Sequence, residues 1–387
     1  MKKSIFILAL AFIFNLYAET SDFEKSFIKG NIQDKTRAVK EASDEEGDRL
    51  AKKGIDFILE NKEIARSDRD FSALAVASLF KLPKDEKILG NNFPSATDNL
   101  IQLFEVFEDE TVRIAVLDKF ENVSNSKSFF KVQNLMNGYL KELDSNSQNS
   151  AVTKKVIELV GKTGNEESFL IVYRLWKEKK YPEFSPEIQN SLLRLSYANI
   201  TESIKLISSS SIEEIGEFFG LINNSSEIPL NFKAEIAENA LLATIHYMED
   251  KSEKNAVTAG LQLKLLKAIS DANWTRGAGL SVRFFAIAKD EYKNSCLNDE
   301  QFIQVIECIA KLSSPDAAQT ISAYLAEINS ETEKNNFSAQ NVVLAVINSL
   351  GALGDKTAFD NLLYVTYLNY PEDVKTAARN SLAKLKW

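Results

Sequence analysis

The stretch Val346-Ile-Asn-Ser-Leu-Gly-Ala-Leu-Gly-Asp-Lys-Thr-Ala-Phe359 has three counterparts elsewhere in the chain that align with it without gaps. These counterparts begin at Val116, Val156 and Val305. Val116 and Val156 are 40 residues apart, and Val305 and Val346 are 41 residues apart. A pattern that returns at a near-constant interval of this length is typical of repeat proteins, in which each unit is one supersecondary element.

Weaker copies of the pattern begin near the same period at Ala75, Ser191 and Leu265. Only the segment around residues 205–255 leaves the register of the repeat uncertain. If the period continues along the chain, residues 19–387 hold about nine units.

The spacing within each unit is helical. Val342, Val346, Leu350 and Leu353 lie at i, i+4, i+8 and i+11, which places them on one face of an α-helix. The Gly354-Asp355 turn then provides a glycine for a left-handed C-cap and an aspartate that can cap the next helix. The turns Gly164-Asn165 and Ser313-Ser314 occupy the same place in other units. Each unit is therefore predicted to be a pair of amphipathic helices.

A single helix pair cannot cover its own apolar stripes, so neighbouring units must stack to bury them. The predicted fold is therefore all-α, with about nine helix pairs forming one repeat domain over residues 19–387. A helical bundle without repeats is the alternative, and the ungapped matches at two distant places favour the repeat.

The pattern resembles the HEAT repeat of the armadillo-like helical class. Leu350-Gly-Ala-Leu-Gly-Asp355 matches the end of the second HEAT helix, and Glu110-Thr-Val-Arg113 resembles its acidic and Val-Arg opening. Asp373-Val-Lys375 resembles the same opening with lysine in place of arginine. The resemblance is sharp over residues 110–176 and 298–387. It implies a right-handed α-α superhelix, and it says little about function because such motifs specify the fold.

The N-terminus has the pattern of an export signal. Basic Met1-Lys2-Lys3 precedes an apolar run from Ser4 to Leu16, and a small residue, Ala18, precedes the acidic Glu19. The run is shorter than the ~20 residues that a bilayer-spanning helix needs. We therefore predict a signal peptide at residues 1–18 that is cleaved after Ala18. No cysteine follows the cleavage site, so we expect a periplasmic or extracellular protein that is not a lipoprotein and has no later transmembrane segment.

The composition argues against several kinds of chemistry. The 387 residues include one histidine and two cysteines, which are too few for a His-rich or four-cysteine zinc site. We therefore expect no metal and no cofactor. Removing Lys2 and Lys3 leaves 44 basic and 55 acidic residues, for a net charge of −11. Without a basic stripe, nucleic acid is not an expected partner, and the acidic excess favours a basic or neutral one.

Three acidic clusters have a structural explanation. Asp44-Glu-Glu46, Glu108-Asp-Glu110 and Asp299-Glu300 each precede a predicted helix, where acidic side chains favour the positive end of the helix dipole. None has the regular oxygen spacing of a calcium-binding loop. The clusters are therefore predicted to begin helices.

The histidine and the cysteines are candidate chemical groups. His246 stands among apolar residues and is predicted to be a partly buried structural side chain, with a general base or metal ligand as the alternative. Cys296 and Cys308 are twelve residues apart and are possible disulfide partners in an oxidising compartment. The alternative is one exposed thiol and one packed thiol.

We expect a non-enzymatic scaffold that binds a protein or peptide along the curved face formed by the second helices of successive units. Polar positions predicted to face outwards there are the candidate contacts: Asp118, Lys119, Glu158, Lys162, Glu307, Lys311 and Asn348. The alternative is an exported enzyme or small-ligand-binding protein on the same fold, with a pocket that the sequence does not reveal.

Overall fold

A computed structural model of the chain describes residues 21–83, 96–124, 127–143, 150–251 and 255–386. Regular structure within these ranges consists of twenty-one α-helices and three short 3₁₀-helices, with no β-strand. The prediction of an all-α fold is confirmed. The predicted signal peptide, residues 1–18, lies outside the described residues.

The chain divides into two compact units, residues 1–195 and 196–387. The first unit has these helices: α1 Asp22–Lys29, α2 Ile32–Glu41, α3 Asp44–Glu60, α4 Lys62–Ala65, α5 Arg69–Lys81, α6 Ala96–Val106, α7 Glu110–Asn122, α8 Phe129–Lys141, α9 Ser150–Thr163, α10 Glu166–Glu178 and α11 Ser185–Ala198. The boundary between the units falls in the last turn of α11.

The second unit continues with the following helices: α12 Ile200–Ser209, α13 Ile212–Asn224, α14 Leu230–Lys251, α15 Ala256–Asp271, α16 Ala278–Lys293, α17 Asp299–Lys311, α18 Pro315–Glu333, α19 Gln340–Leu353, α20 Phe359–Val365 and α21 Glu372–Leu382. The 3₁₀-helices are Pro182–Phe184, Thr275–Gly277 and Lys356–Ala358.

Helices within each unit pack against the next helix but one, which produces two layers. In the first unit α5, α7 and α9 lie side by side, and α6, α8 and α10 form the opposing row. In the second unit α15, α17, α19 and α21 form one row, and α16, α18 and α20 form the other. The apolar core lies between the rows, because the inward stripe of each helix is covered by its neighbours.

The helical faces expected from the sequence are buried as predicted. Val152, Val156 and Val160 of α9 are fully buried, and so are Val346 and Leu350 of α19. Side chains that recur at the 3.6-residue helical period therefore point into the core in both units.

The predicted turns also have the expected chemistry. Gly354 ends α19 in the left-handed region with φ 66°, and Asp355 accepts a hydrogen bond from the Thr357 amide at 2.9 Å. Ser313 adopts φ 53°, and Ser314 caps α18. Asn165 forms a capping box at the start of α10. These caps satisfy backbone groups that a helix end would otherwise leave without partners.

The acidic clusters begin helices, as expected. Asp44 is the first residue of α3 and Asp299 is the first residue of α17. Asp109 caps α7 by accepting a hydrogen bond from the Val112 amide at 3.0 Å. Their negative charges therefore lie at the positive ends of helix dipoles.

One glycine–serine contact recurs 190 residues later in the chain. A Cβ at Gly161 of α9 would lie 2.4 Å from the Ser191 Oγ, and Gly351 of α19 has the same relation to Ser381 at 2.5 Å. Each serine hydroxyl donates to a carbonyl of the glycine-bearing helix, Ile157 at 2.8 Å and Ile347 at 3.0 Å. The same close approach of two helices, with the same serine-to-carbonyl hydrogen bond, is thus present in both units.

Candidate functional site

A groove lies between α13 and α15 in the second unit. It has a volume of about 770 Å³. On α13 the lining residues follow helical spacing along one face: Ile212, Gly216, Phe219, Gly220 and Asn223. On α15 they do the same: Val257, Gly260, Leu261, Lys264, Lys267, Ala268 and Asp271. Both helices pack on α14, which holds the two lining faces in place.

Glycines keep the groove open. A Cβ added at Gly220 or Gly260 would meet no heavy atom within 4 Å, and one at Gly216 would touch only the Leu261 side chain, at 3.7 Å. A glycine inside a helix lowers the stability of that helix by ~1 kcal/mol relative to alanine. Helix propensity therefore does not explain why glycine occupies these positions. What the glycines provide is access to the helix backbone.

Apolar side chains form the base and one rim of the groove. Phe219 and Leu261 are buried, whereas Val257 is 78% exposed. An exposed valine next to two buried apolar side chains is a surface that gains free energy when another apolar group covers it, at about 25 cal/mol per Å².

The charges of the groove are concentrated on α15. Lys264 and Lys267 are both exposed, and no carboxylate among the described residues lies within ion-pair distance of either ammonium group. Asp271 is paired with Lys311 of α17 at 3.2 Å. On the opposite wall, Glu213 is exposed at the start of α13. The α15 side of the groove therefore carries two lysine charges that no carboxylate in the described part of the chain neutralises.

The contact positions expected from the sequence fall into two sets. Asp118 on α7 and Glu158 and Lys162 on α9 lie in the first unit. Glu307 and Lys311 on α17 and Asn348 on α19 lie in the second. Lys311 is the member that the structure brings to the edge of the groove, through its ion pair with Asp271.

In the first unit two of the expected contacts, Asp118 and Lys162, form ion pairs within the protein. Lys155 of α9 pairs with Asp118 of α7 at 2.7 Å, and Lys162 pairs with Glu121 at 2.8 Å. The hydrogen bond to Asp118 raises the pKa of Lys155 above its ordinary value. These exposed pairs link neighbouring helices of one row, and such pairs typically contribute 0–1 kcal/mol each.

The prediction that Lys119 faces outwards is wrong. Lys119 is only 6% exposed, and its Nζ donates a hydrogen bond to the Leu82 carbonyl at 2.7 Å. Lys119 follows Val116 by three positions and precedes the buried Phe120, so it lies on the inner face of α7. Leu82 is the C-cap of α5, where a cation is favoured by the helix dipole.

The prediction for His246 is also wrong, because this side chain is exposed on α14. Among the side chains that the structure describes, no group of three or more His, Cys, Asp or Glu residues is placed to hold a metal ion.

Cys296 and Cys308 carry free, half-buried thiols in the structure and are not joined. Cys296 follows the end of α16, and Cys308 lies on α17 facing Ser270 of α15. Burial raises the pKa of the Cys308 thiol, which disfavours the reactive thiolate.

A second cavity, of about 390 Å³, lies beside the loops that precede α19 and α21. Its walls combine apolar and uncharged polar side chains: Phe337, Ser338, Gln340, Val343, Asn369, Tyr370, Pro371 and Val374. Burial raises the pKa of Tyr370, whose hydroxyl donates to Asn329 at 3.0 Å. This cavity could hold an apolar group that also forms hydrogen bonds with the uncharged polar side chains of the wall.

The groove was not found by sequence reasoning. It lies in the region where the repeat register was uncertain, and the spacing Gly216-Glu-Phe-Phe-Gly220 is the sequence signal that could have indicated it. Two glycines one turn apart place two side-chain-free positions on the same helix face.

The chain matches no protein-family model and is similar to no curated protein. Within the described ranges, no helix has the length and apolar character needed to span a bilayer.

Proposed function

We propose that the chain is a non-enzymatic binding scaffold that holds a segment of a partner protein in the groove between α13 and α15. The observation that carries this proposal is the open, glycine-lined space at Gly216, Gly220 and Gly260 with the exposed Val257 beside it. Proteins commonly accept a partner helix in an apolar groove of this kind, and small residues allow the backbones to approach closely.

The wider architecture in this proposal is a HEAT-like solenoid: a right-handed superhelix of about nine helix pairs. Its support is the packing of each helix on the next but one and the recurrence of side-chain contacts at the repeat spacing. Examples are Lys119 to Leu82, 37 residues apart, and Tyr370 to Asn329, 41 residues apart. In solenoids the exposed face of one helix row is the usual binding surface.

The proposal includes export of the protein to the periplasm or the extracellular space. It rests on the basic, apolar and small-residue pattern of residues 1–18. The partner is then another exported or envelope protein.

The experiment fills the groove without disturbing the fold. Gly220→Leu places a side chain in open space, and Gly279→Leu on α16 is the matched control, because a Cβ there also meets no atom within 4 Å. The chain from Glu19 onward is immobilised as wild type and as each variant, and proteins of the source envelope are captured.

A protein retained by the wild type and by Gly279→Leu but lost from Gly220→Leu is the expected result. Equal capture by all three chains would place binding outside the groove. A small molecule retained with no protein partner would favour the alternative of a ligand-binding protein or enzyme, for which the cavity at Phe337 is the place to look.

A further inference from the structure

The groove between α13 and α15 carries two lysines for which the described part of the chain provides no carboxylate partner. The chain has a net charge of −9, and several basic side chains of the second unit are paired with carboxylates. Lys289 meets Glu327 at 2.7 Å, and Arg276 contacts Glu235 and Glu238 at 3.0 and 2.9 Å. Lys264 and Lys267 have no such partner among the described residues, although they lie one turn apart and repel each other.

The remaining charges near the groove leave this positive site in place. Asp271 is on the same helix, but its carboxylate is engaged by Lys311. Glu213 is exposed on the α13 wall, in the first turn of that helix. Asn223 contributes an uncharged amide to the α13 wall. A partner therefore meets two lysines along α15, the Asp271–Lys311 ion pair at the end of that helix and one carboxylate at the start of α13.

The dimensions suit a short helix. The lining of α13 runs from Ile212 to Asn223, which spans roughly 17 Å at 1.5 Å per residue, or about three turns. Gly216, Gly220 and Gly260 remove the side chains that would keep a second backbone away. Phe219, Leu261 and Val257 supply apolar surface for one stripe of that helix.

We propose that the groove binds an acidic amphipathic helix of a partner protein, with its apolar stripe against Phe219 and Leu261 and its carboxylates beside Lys264 and Lys267. This inference rests on the proposed function and names the chemistry of the partner. It reverses the expectation from net charge, because the unpaired charge at the groove is opposite in sign to that of the whole chain.

The test uses two synthetic helical peptides of about 14 residues, or roughly four turns. They share one Leu/Ala stripe at i, i+3, i+4 and i+7 and differ in the polar face, which is glutamate in one and lysine in the other. Binding of each labelled peptide to the chain from Glu19 onward is measured by fluorescence anisotropy at low and high salt.

The acidic peptide is expected to bind the wild type more tightly than the lysine peptide, and its affinity is expected to fall with added salt. The double variant Lys264→Glu with Lys267→Glu should weaken the acidic peptide about tenfold or more. The double variant Lys356→Glu with Lys384→Glu, at two exposed lysines of the same unit outside the groove, is the matched charge control and should change little.

Three results overturn the inference, and the first two separate its failure from that of the proposed function. If Gly220→Leu removes peptide binding but the lysine double variant leaves the acidic preference unchanged, the groove binds helices and the contact of their carboxylates with Lys264 and Lys267 is wrong. If Gly220→Leu and the double variant both leave binding unchanged, the groove is not the site and both proposals fail. Absence of acidic-peptide binding to the wild type at concentrations up to about 1 mM also overturns the inference.

Discussion

At the residue scale, helical glycines serve two opposite purposes in this protein. Gly161 and Gly351 lie where another helix comes so close that a Cβ would collide with a serine. Gly220 and Gly260 lie where nothing occupies the space. Packing explains the first pair, and the second pair borders the groove in which we propose that a partner binds. Sequence alone does not separate the two, since all four glycines interrupt an otherwise helical pattern.

The contrast predicts opposite effects of the same substitution. Gly351→Ala should destabilise the protein by about 1–3 kcal/mol, because the methyl group overlaps Ser381 and forces the α19–α21 contact apart. Gly220→Ala should instead stabilise it by up to ~1 kcal/mol through helix propensity. Urea unfolding followed by far-UV circular dichroism measures both. A Gly351→Ala chain as stable as the wild type would contradict the close-contact explanation.

Lys119 and His246 show where sequence reasoning stops at this scale. The period of α7 assigns Val116 and Phe120 to the core, but a residue beside them can be turned inwards or outwards by a modest rotation of the helix. Lys119 points inwards because its ammonium group donates a hydrogen bond to the Leu82 carbonyl, which lies 37 residues earlier in the chain. Such nonlocal partners leave no local pattern in the sequence.

At the scale of single elements, lysines bind the C-terminal ends of earlier helices. Lys81 donates to the carbonyl of Ala42, the C-cap of α2, at 2.9 Å. Lys119 donates to the carbonyl of Leu82, the C-cap of α5. Each contact spans about one repeat and places a cation at the negative end of a helix dipole. Helix ends such as Gly354-Asp355 were predictable because their chemistry is local, whereas these lysine contacts were not.

Helix α1 is held to α3 by a carboxylate that should make stability depend on pH. Glu24 is buried, and it accepts hydrogen bonds from Lys53 and from Arg49, the latter at 2.8 Å. The hydrogen bond from Lys53, with the positive charges of Lys53 and Arg49, lowers the pKa of Glu24 below its ordinary value of 4.5, against the opposing effect of burial. The carboxylate is therefore more acidic in the folded chain than in the unfolded chain.

A lowered folded-state pKa contributes stability that is complete above the unfolded value near 4.5 and is lost as pH falls through the folded value. Glu24→Gln should therefore lower the free energy of unfolding by about 1 kcal/mol at neutral pH, and this deficit should shrink at pH values below 4.5. Thermal unfolding across a pH series measures it. Glu41→Gln, at an exposed carboxylate of α2, is the control, and a deficit for Glu24→Gln that grows on acidification would contradict the pairing.

At the scale of the whole molecule, a sequence period of about 40 residues is visible because helices that recur along the chain have similar apolar faces to bury. The helical fold, the turns and the buried stripes all follow from that local requirement. The grouping of the chain into residues 1–195 and 196–387 was not predicted. Neither was the groove, because it depends on how far α13 and α15 stand apart on α14, and no single helix encodes that separation.

The proposed solenoid makes a prediction about how damage spreads within the second unit. In a stack of repeats, each repeat is stabilised chiefly by the repeats next to it. A local defect should therefore weaken nearby helices, and its effect should decrease with distance along the stack. Gly351→Ala should therefore increase amide hydrogen exchange most in α19 and α21, less in α17, and least in α12 to α14. Gly220→Ala, which relieves no contact and creates none, should leave this profile close to that of the wild type. A Gly351→Ala chain that loses protection equally from α12 to α21 would behave as one cooperative globule. That result would rule out a stack of repeats in this unit even though its helices are correctly placed.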